Sequence, residues 1–122
     1  MGPKTVTKQV IEFPKWALVL MNNLCEIERK LKVHGDPGNA TRNIDKIRET
    51  VRESLNVFYE DPIGEPFRDT RTDLEATISG DTTDNLVVAE VIKPIIRVGK
   101  SEYTQIVQKG IVVVRAAEGE PK

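Results

Sequence analysis

Between Phe58 and Phe67 the character of this chain changes, and the change limits what it can fold into. Before it, apolar residues recur at helical spacing; after it, short β-branched runs alternate with glycine and proline. The segment between, Tyr59-Glu60-Asp61-Pro62-Ile63-Gly64-Glu65-Pro66-Phe67, is too rich in proline and glycine to be regular helix. The order is therefore helices first and strands second, an α+β arrangement with segregated elements. We expect a tail over residues 1–13, a helical hairpin over 14–58, a linker turn over 59–71, a small, mainly β domain over 72–115 and a second tail over 116–122.

Pro14 suits the first turn of a helix, where a missing N–H is no loss. From there Ala17, Leu20, Leu24, Ile27 and Leu31 recur at spacings of three and four, and the stripe ends near Val33, His34 and Gly35. A second stripe of Leu18, Met21 and Cys25 flanks its first half. Asp36 or Asn39 is placed to cap the next helix. Its stripe is Ile44, Ile47, Val51, Leu55 and Phe58, opposite a solvated face of Arg42, Lys46, Glu49, Arg52 and Glu53. So short a connection predicts an antiparallel hairpin. A helix with two apolar faces needs two partners. A second copy would supply one by forming a four-helix bundle, with Leu18, Leu20, Met21, Leu24, Ile27, Leu31, Ile44, Ile47 and Val51 at the interface. The alternative is that the β lobe folds back over the second face.

Strands are predicted at Thr72–Ile78, Leu86–Ile92, Ile95–Val98, Tyr103–Val107 and Ile111–Arg115. Pro94 marks an end or an edge, and Gly99 and Gly110 fall at turns.

Composition narrows the chemistry. Aromatic residues are 5% of the 122, too few for the aromatic lining common in ligand pockets. Eighteen basic against 19 acidic residues leave a formal net charge of −1, which does not suggest a nucleic-acid coat. Lys93, Arg97, Lys100, Lys109 and Arg115 have only Tyr103 nearby as a stacking aromatic. The single cysteine, Cys25, sits among apolar residues and reads as a small hydrophobe. His34 is the one histidine, so neither a zinc set nor a nucleophile–histidine pair is indicated. Glu60, Asp61, Glu65, Asp69 and Asp73 form an acidic cluster that reads as turn caps and solvated linker rather than as a hydrolase site. Gly99-Lys100-Ser101 has the ending of a phosphate loop, but Pro94 stands where that motif needs its first glycine. With neither a signal peptide nor a long apolar run apparent, the expectation is a cytoplasmic protein without a membrane segment, a cofactor, a metal or enzymatic activity.

The string Asp61-Pro62-Ile63-Gly64-Glu65-Pro66-Phe67 resembles the passage from bundle helix to β domain in the GrpE family, the nucleotide exchange factors of DnaK-type chaperones. Leu74-Glu75-Ala76 is similar to the family's H-E-A, Val88-Ala89-Glu90-Val91-Ile92 to its V-x-E-V-L strand, and Ile111-Val112-Val113-Val114 to its closing M-V-V-V. Leu18 to Leu24 with Glu28 resembles part of the first bundle helix. The likeness spans roughly residues 15 to 115. It departs at Ile95-Ile96, where the family has glycine-tyrosine, at Gln108-Lys109-Gly110, where it has arginine-proline-alanine, and in the long N-terminal helix, which has no counterpart before Pro14. The resemblance implies a homodimeric co-chaperone that binds the chaperone's ATPase domain and promotes ADP release. It implies a contact surface on the hairpin from Arg97 to Gly110, for which Arg97, Lys100, Glu102, Tyr103, Gln105, Gln108 and Lys109 are candidates. An adaptor with the same fold and no exchange activity is the alternative.

Overall fold

The structure, a computed structural model, describes residues 13–100 and 102–117. Among these residues two helices precede six strands. Helix α1 (Lys15–His34) follows Pro14, whose carbonyl accepts from the N–H groups of Ala17 and Leu18 at 3.0 and 3.4 Å. It ends where Gly35, at φ 95°, turns its own N–H back onto the Leu31 carbonyl. The start of α2 (Ala40–Leu55) is capped from outside the helix. Asn39 takes the capping position in a left-handed conformation and its side chain makes no capping bond. Asp36 does the work instead, accepting from the Ala40 and Thr41 N–H groups at 2.7 and 2.9 Å and from the Thr41 hydroxyl at 2.7 Å.

The second helix stops earlier than its apolar spacing predicts. Asn56 adopts φ 57° and donates its N–H to the Arg52 carbonyl, so Phe58 belongs to a strand, β1 (Val57–Glu60), that the sequence reading assigned to helix and linker. The other five strands match expectation within a few residues: β2 (Leu74–Ile78), β3 (Leu86–Lys93), β4 (Ile95–Lys100), β5 (Tyr103–Gln108) and β6 (Gly110–Ala116).

The last four strands are one long hairpin broken twice. Strand β3 pairs antiparallel with β6 and β4 pairs antiparallel with β5, while Pro94 and Lys109 interrupt the two arms. Proline donates no N–H to a ladder, so the arm can change direction there. Each half then recruits an earlier strand. One sheet, in the order β1-β4-β5, gains β1 antiparallel to β4; the other, β2-β6-β3, gains β2 parallel to β6.

Two cores result. Met21, Leu24, Cys25, Ile44 and Val51 of the helices are buried with Val57, Tyr59 and Ile96 of the first sheet. Leu74, Leu86, Val88, Val91, Ile95, Val112 and Val114 form the second cluster. Adjacent strand residues point to opposite faces, so Ile95 and Ile96 supply one core each. The first sheet therefore covers the helices within a single chain, the arrangement weighed above as the alternative to a second copy. Gly110 lies against the second of these cores. A Cβ there would stand 2.7 Å from Leu74 Cδ2 and 3.0 Å from Ile95 Cγ1.

Candidate partner-binding surface

The turn string is a structural brace. Asp61 accepts from Arg29 Nη2 at 3.0 Å and from the Ile63 N–H at 3.1 Å, fixing the chain as it leaves β1. Pro62 is buried, and Gly64 holds φ 82°, a left-handed conformation costly for other residues. From Gly64 to Phe67 the backbone then runs along the edge of β3. Gly64 and Phe67 donate to the carbonyls of Val88 and Leu86, and Val88 donates to that of Glu65. Pro66 bridges to Val87, and Phe67 packs against the second core. Cys25 lies beneath this brace; its thiol is 3.8 Å from Asp61 Oδ2. Burial, reinforced by Asp61, pushes that thiol up to about 12, which makes it a poor nucleophile at neutral pH.

A chain of charges ties the brace to the long hairpin. Arg71 grips Asp73 with two bonds of 3.0 Å and reaches Glu65 at 3.0 Å. Arg97 joins from the other side, 3.2 Å from Asp73 and 2.9 Å from Glu60. Hydrogen bonding from Arg71 holds the Asp73 carboxyl below its usual range, and the same contact raises Arg71. The acidic residues that sequence grouped together are thus largely partnered: Glu60, Asp61, Glu65 and Asp73 all accept from arginines.

Of the candidate contact residues, the structure divides two kinds. Tyr103 is 82% exposed, and Lys100, Glu102, Gln105 and Lys109 are exposed as well. Arg97 and Gln108 are half-buried and held internally, Arg97 by the carboxylates just described and Gln108 by Asn22 of α1. Ser101 lies outside the described residues. Lys100 pairs with Tyr103 at the end of the ladder, so Lys100, Glu102 and Tyr103 sit at the tip of the β4–β5 hairpin with Gln105 close behind, whereas Lys109 lies at the bend at the other end of β5. The tip is tightly built. Gly99 adopts φ 136°, and a side chain there would collide with the carbonyl oxygen of Tyr103.

The nine candidate interface residues divide too. Met21, Leu24, Ile44 and Val51 are buried within the chain; Leu18, Leu20 and Leu31 are half-buried against the same core. Ile27 and Ile47 remain 43% and 40% exposed, joined by Trp16 at 60% and Val19 at 52%, which belong to neither apolar stripe. Trp16, Val19 and Ile27 fall at spacings of three and eight on α1, which keeps them on one side of the helix.

Tyr59 donates to Glu28 across the first core, and burial with that bond raises its pKa. Arg48 stacks over the Tyr59 ring at 5.1 Å and Arg52 over the Phe58 ring at 4.1 Å. These four residues line an open groove of about 260 Å³ between α2 and β1. Among the described residues no cluster of three histidine, cysteine or acidic side chains is placed to hold a metal ion. Nor is any described helix long and apolar enough to cross a membrane.

No family model matches this chain, and neither a curated protein nor a solved structure matches it.

Proposed function

We propose that this protein is a nucleotide exchange factor of the GrpE kind, binding the ATPase domain of a DnaK-type chaperone in the cytoplasm and promoting release of ADP. The observation that carries the reading is the β4–β5 hairpin, which projects Tyr103 with Lys100, Glu102 and Gln105 from a base braced by two cores and an arginine–carboxylate chain. The resemblance of the Asp61–Phe67 string to the family's turn supplies the identity of the partner. Such a factor performs no bond chemistry and needs no cofactor. It binds the open form of the ATPase more tightly than the closed form, and only that difference in affinity moves the population toward nucleotide release. Large exposed aromatic side chains are the common anchors of such contacts.

The exposed stripe of Trp16, Val19 and Ile27, with Ile47 on α2, supports homodimerisation through a four-helix bundle. In that assembly the in-chain core stays as it is and the second copy covers the outer faces of the helices.

A second reading, an adaptor of the same fold without exchange activity, is favoured by where the sequence departs from the family. Ile95-Ile96 and Gln108-Lys109-Gly110 both fall at the bend of the long hairpin, so they alter how the tip is aimed. Stopped-flow release of a fluorescent ADP analogue from the DnaK-type chaperone of the same genome separates the two. Acceleration that is lost in Tyr103→Ala is the expected result; a folded protein that leaves the release rate unchanged selects the adaptor.

A further inference from the structure

The bend of the long hairpin is tied to α1 by a pair of amides, and this pair joins parts of the chain 86 residues apart. Asn22 Nδ2 donates to Gln108 Oε1 at 3.1 Å, and Gln108 Nε2 donates back to Asn22 Oδ1 at 2.9 Å. The remaining hydrogen of each amide is also used. Asn22 donates to the Leu18 carbonyl at 2.9 Å, one turn back on α1, and Gln108 donates to the Pro94 carbonyl at 2.8 Å. Gln108 is the last residue of β5, opposite Ile96, where the ladder slips before Arg97. Pro94 is the break in the other arm. One side chain therefore holds both arms at their break and fastens them to the helix.

The apolar contacts that Met21, Val98 and Val107 make in this core are non-directional, and the bond from Tyr59 to Glu28 fixes β1, the strand at the far edge of the sheet from β5. Hydrogen bonds weaken steeply when misaligned, so a closed amide pair resists displacement of β5 along the helix. From this geometry we infer that Asn22 and Gln108 are positioning residues, which fix the direction in which the β4–β5 tip is presented to its partner. The inference rests on the exchange reading above. It also removes Gln108 from the contact surface and gives it a different task. A hairpin free to swing would yield to the closed ATPase instead of favouring the open one, and so would forfeit the differential affinity on which release depends.

The test uses the full chain with Cys25→Ala, carrying spin labels at Lys46→Cys on α2 and Glu102→Cys at the tip, both exposed positions. Gln108→Leu and Asn22→Leu should each keep cooperative melting while broadening the tip-to-helix distance distribution measured by pulsed electron resonance. The double variant should be no broader than either single one, because the two residues act as a unit. In the unlabelled protein, either change should lower the acceleration of ADP release by about fivefold, the scale of one lost side-chain hydrogen bond. Should Gln108→Leu fail to fold, Asn22→Leu, which leaves the strands untouched, carries the comparison. An unchanged distance distribution overturns the proposal, as does a broadened one with undiminished release. If the unsubstituted protein does not accelerate release at all, the exchange reading fails, and the distance widths alone decide the positioning role.

Discussion

At the scale of single residues, what matters most is where a side chain has no room or no substitute. Gly110 is such a place, and its backbone conformation is not the reason. An added methyl group would press Leu74 and Ile95, residues of a closely packed cluster that must then shift. Gly110→Ala should destabilise the protein by ~1–3 kcal/mol, the usual cost of overpacking, read as a lower urea midpoint at unchanged slope. Asp73 is the second such place. Its carboxyl is held low in the folded state by Arg71 and, further off, by Arg97. A depressed folded value stabilises the protein above the unfolded carboxyl range of roughly pH 4 and ceases to do so as acid protonates the folded group. The stability difference between the parent and Asp73→Asn should therefore be constant at neutral pH and shrink as the pH falls below about 4. Urea titrations at a series of pH values check this; a gap that widens in acid would contradict it.

At the scale of elements, the boundary between α2 and β1 is decided by one residue. The apolar spacing from Ile44 to Leu55 continues to Phe58 without a break, and helix propensity alone carries on through Asn56. In the fold Asn56 turns left-handed, its N–H closes on Arg52, and its carbonyl accepts from Gly99 at 2.8 Å, which starts the pairing of β1 with β4. Asparagine tolerates that conformation better than other residues bearing a Cβ. Asn56→Ala should thus cost ~1 kcal/mol, seen as a lower melting temperature with helical circular dichroism nearly unchanged. Phe58 gains its place not from a helical stripe but from the strand, where Arg52 of the preceding helix lies over its ring.

At the scale of the whole molecule, two small cores share one bent hairpin, and neither cluster alone is large. Small cores are marginal on their own, which gives a second copy something to contribute. Trp16, Val19, Ile27 and Ile47 are among the exposed apolar groups that the helices offer it. Light scattering at micromolar concentration should return twice the chain mass, and Ile27→Glu should reduce it to the mass of one chain. That substitution lies outside both in-chain clusters, so the monomer should remain folded. A single-chain mass for the parent protein would remove the four-helix bundle from the reading and leave the hairpin surface standing.

The sequence by itself determined the α+β order, the two helices apart from the end of the second, five of the six strands among the described residues, and the break at Pro94. These depend on local chemistry: apolar spacing, β-branched runs, and the conformational limits of proline and glycine. Its resemblance string also marked Asp61 to Phe67 as a special turn. Only the tertiary structure decided what each apolar face is buried against. Spacing reports that Met21 and Ile44 are inside, but not that Val57, Tyr59 and Ile96 cover them, because strand partners far apart in sequence leave no local trace. The same holds for the polar contacts. Asn22 flanks an apolar stripe and Gln108 closes a strand, and nothing near either one names the other. Arg97 likewise reads as a surface cation until folding brings Asp73 and Glu60 beside it. Directional bonds across such separations exist only once the chain has closed on itself, and they set the aim of the hairpin.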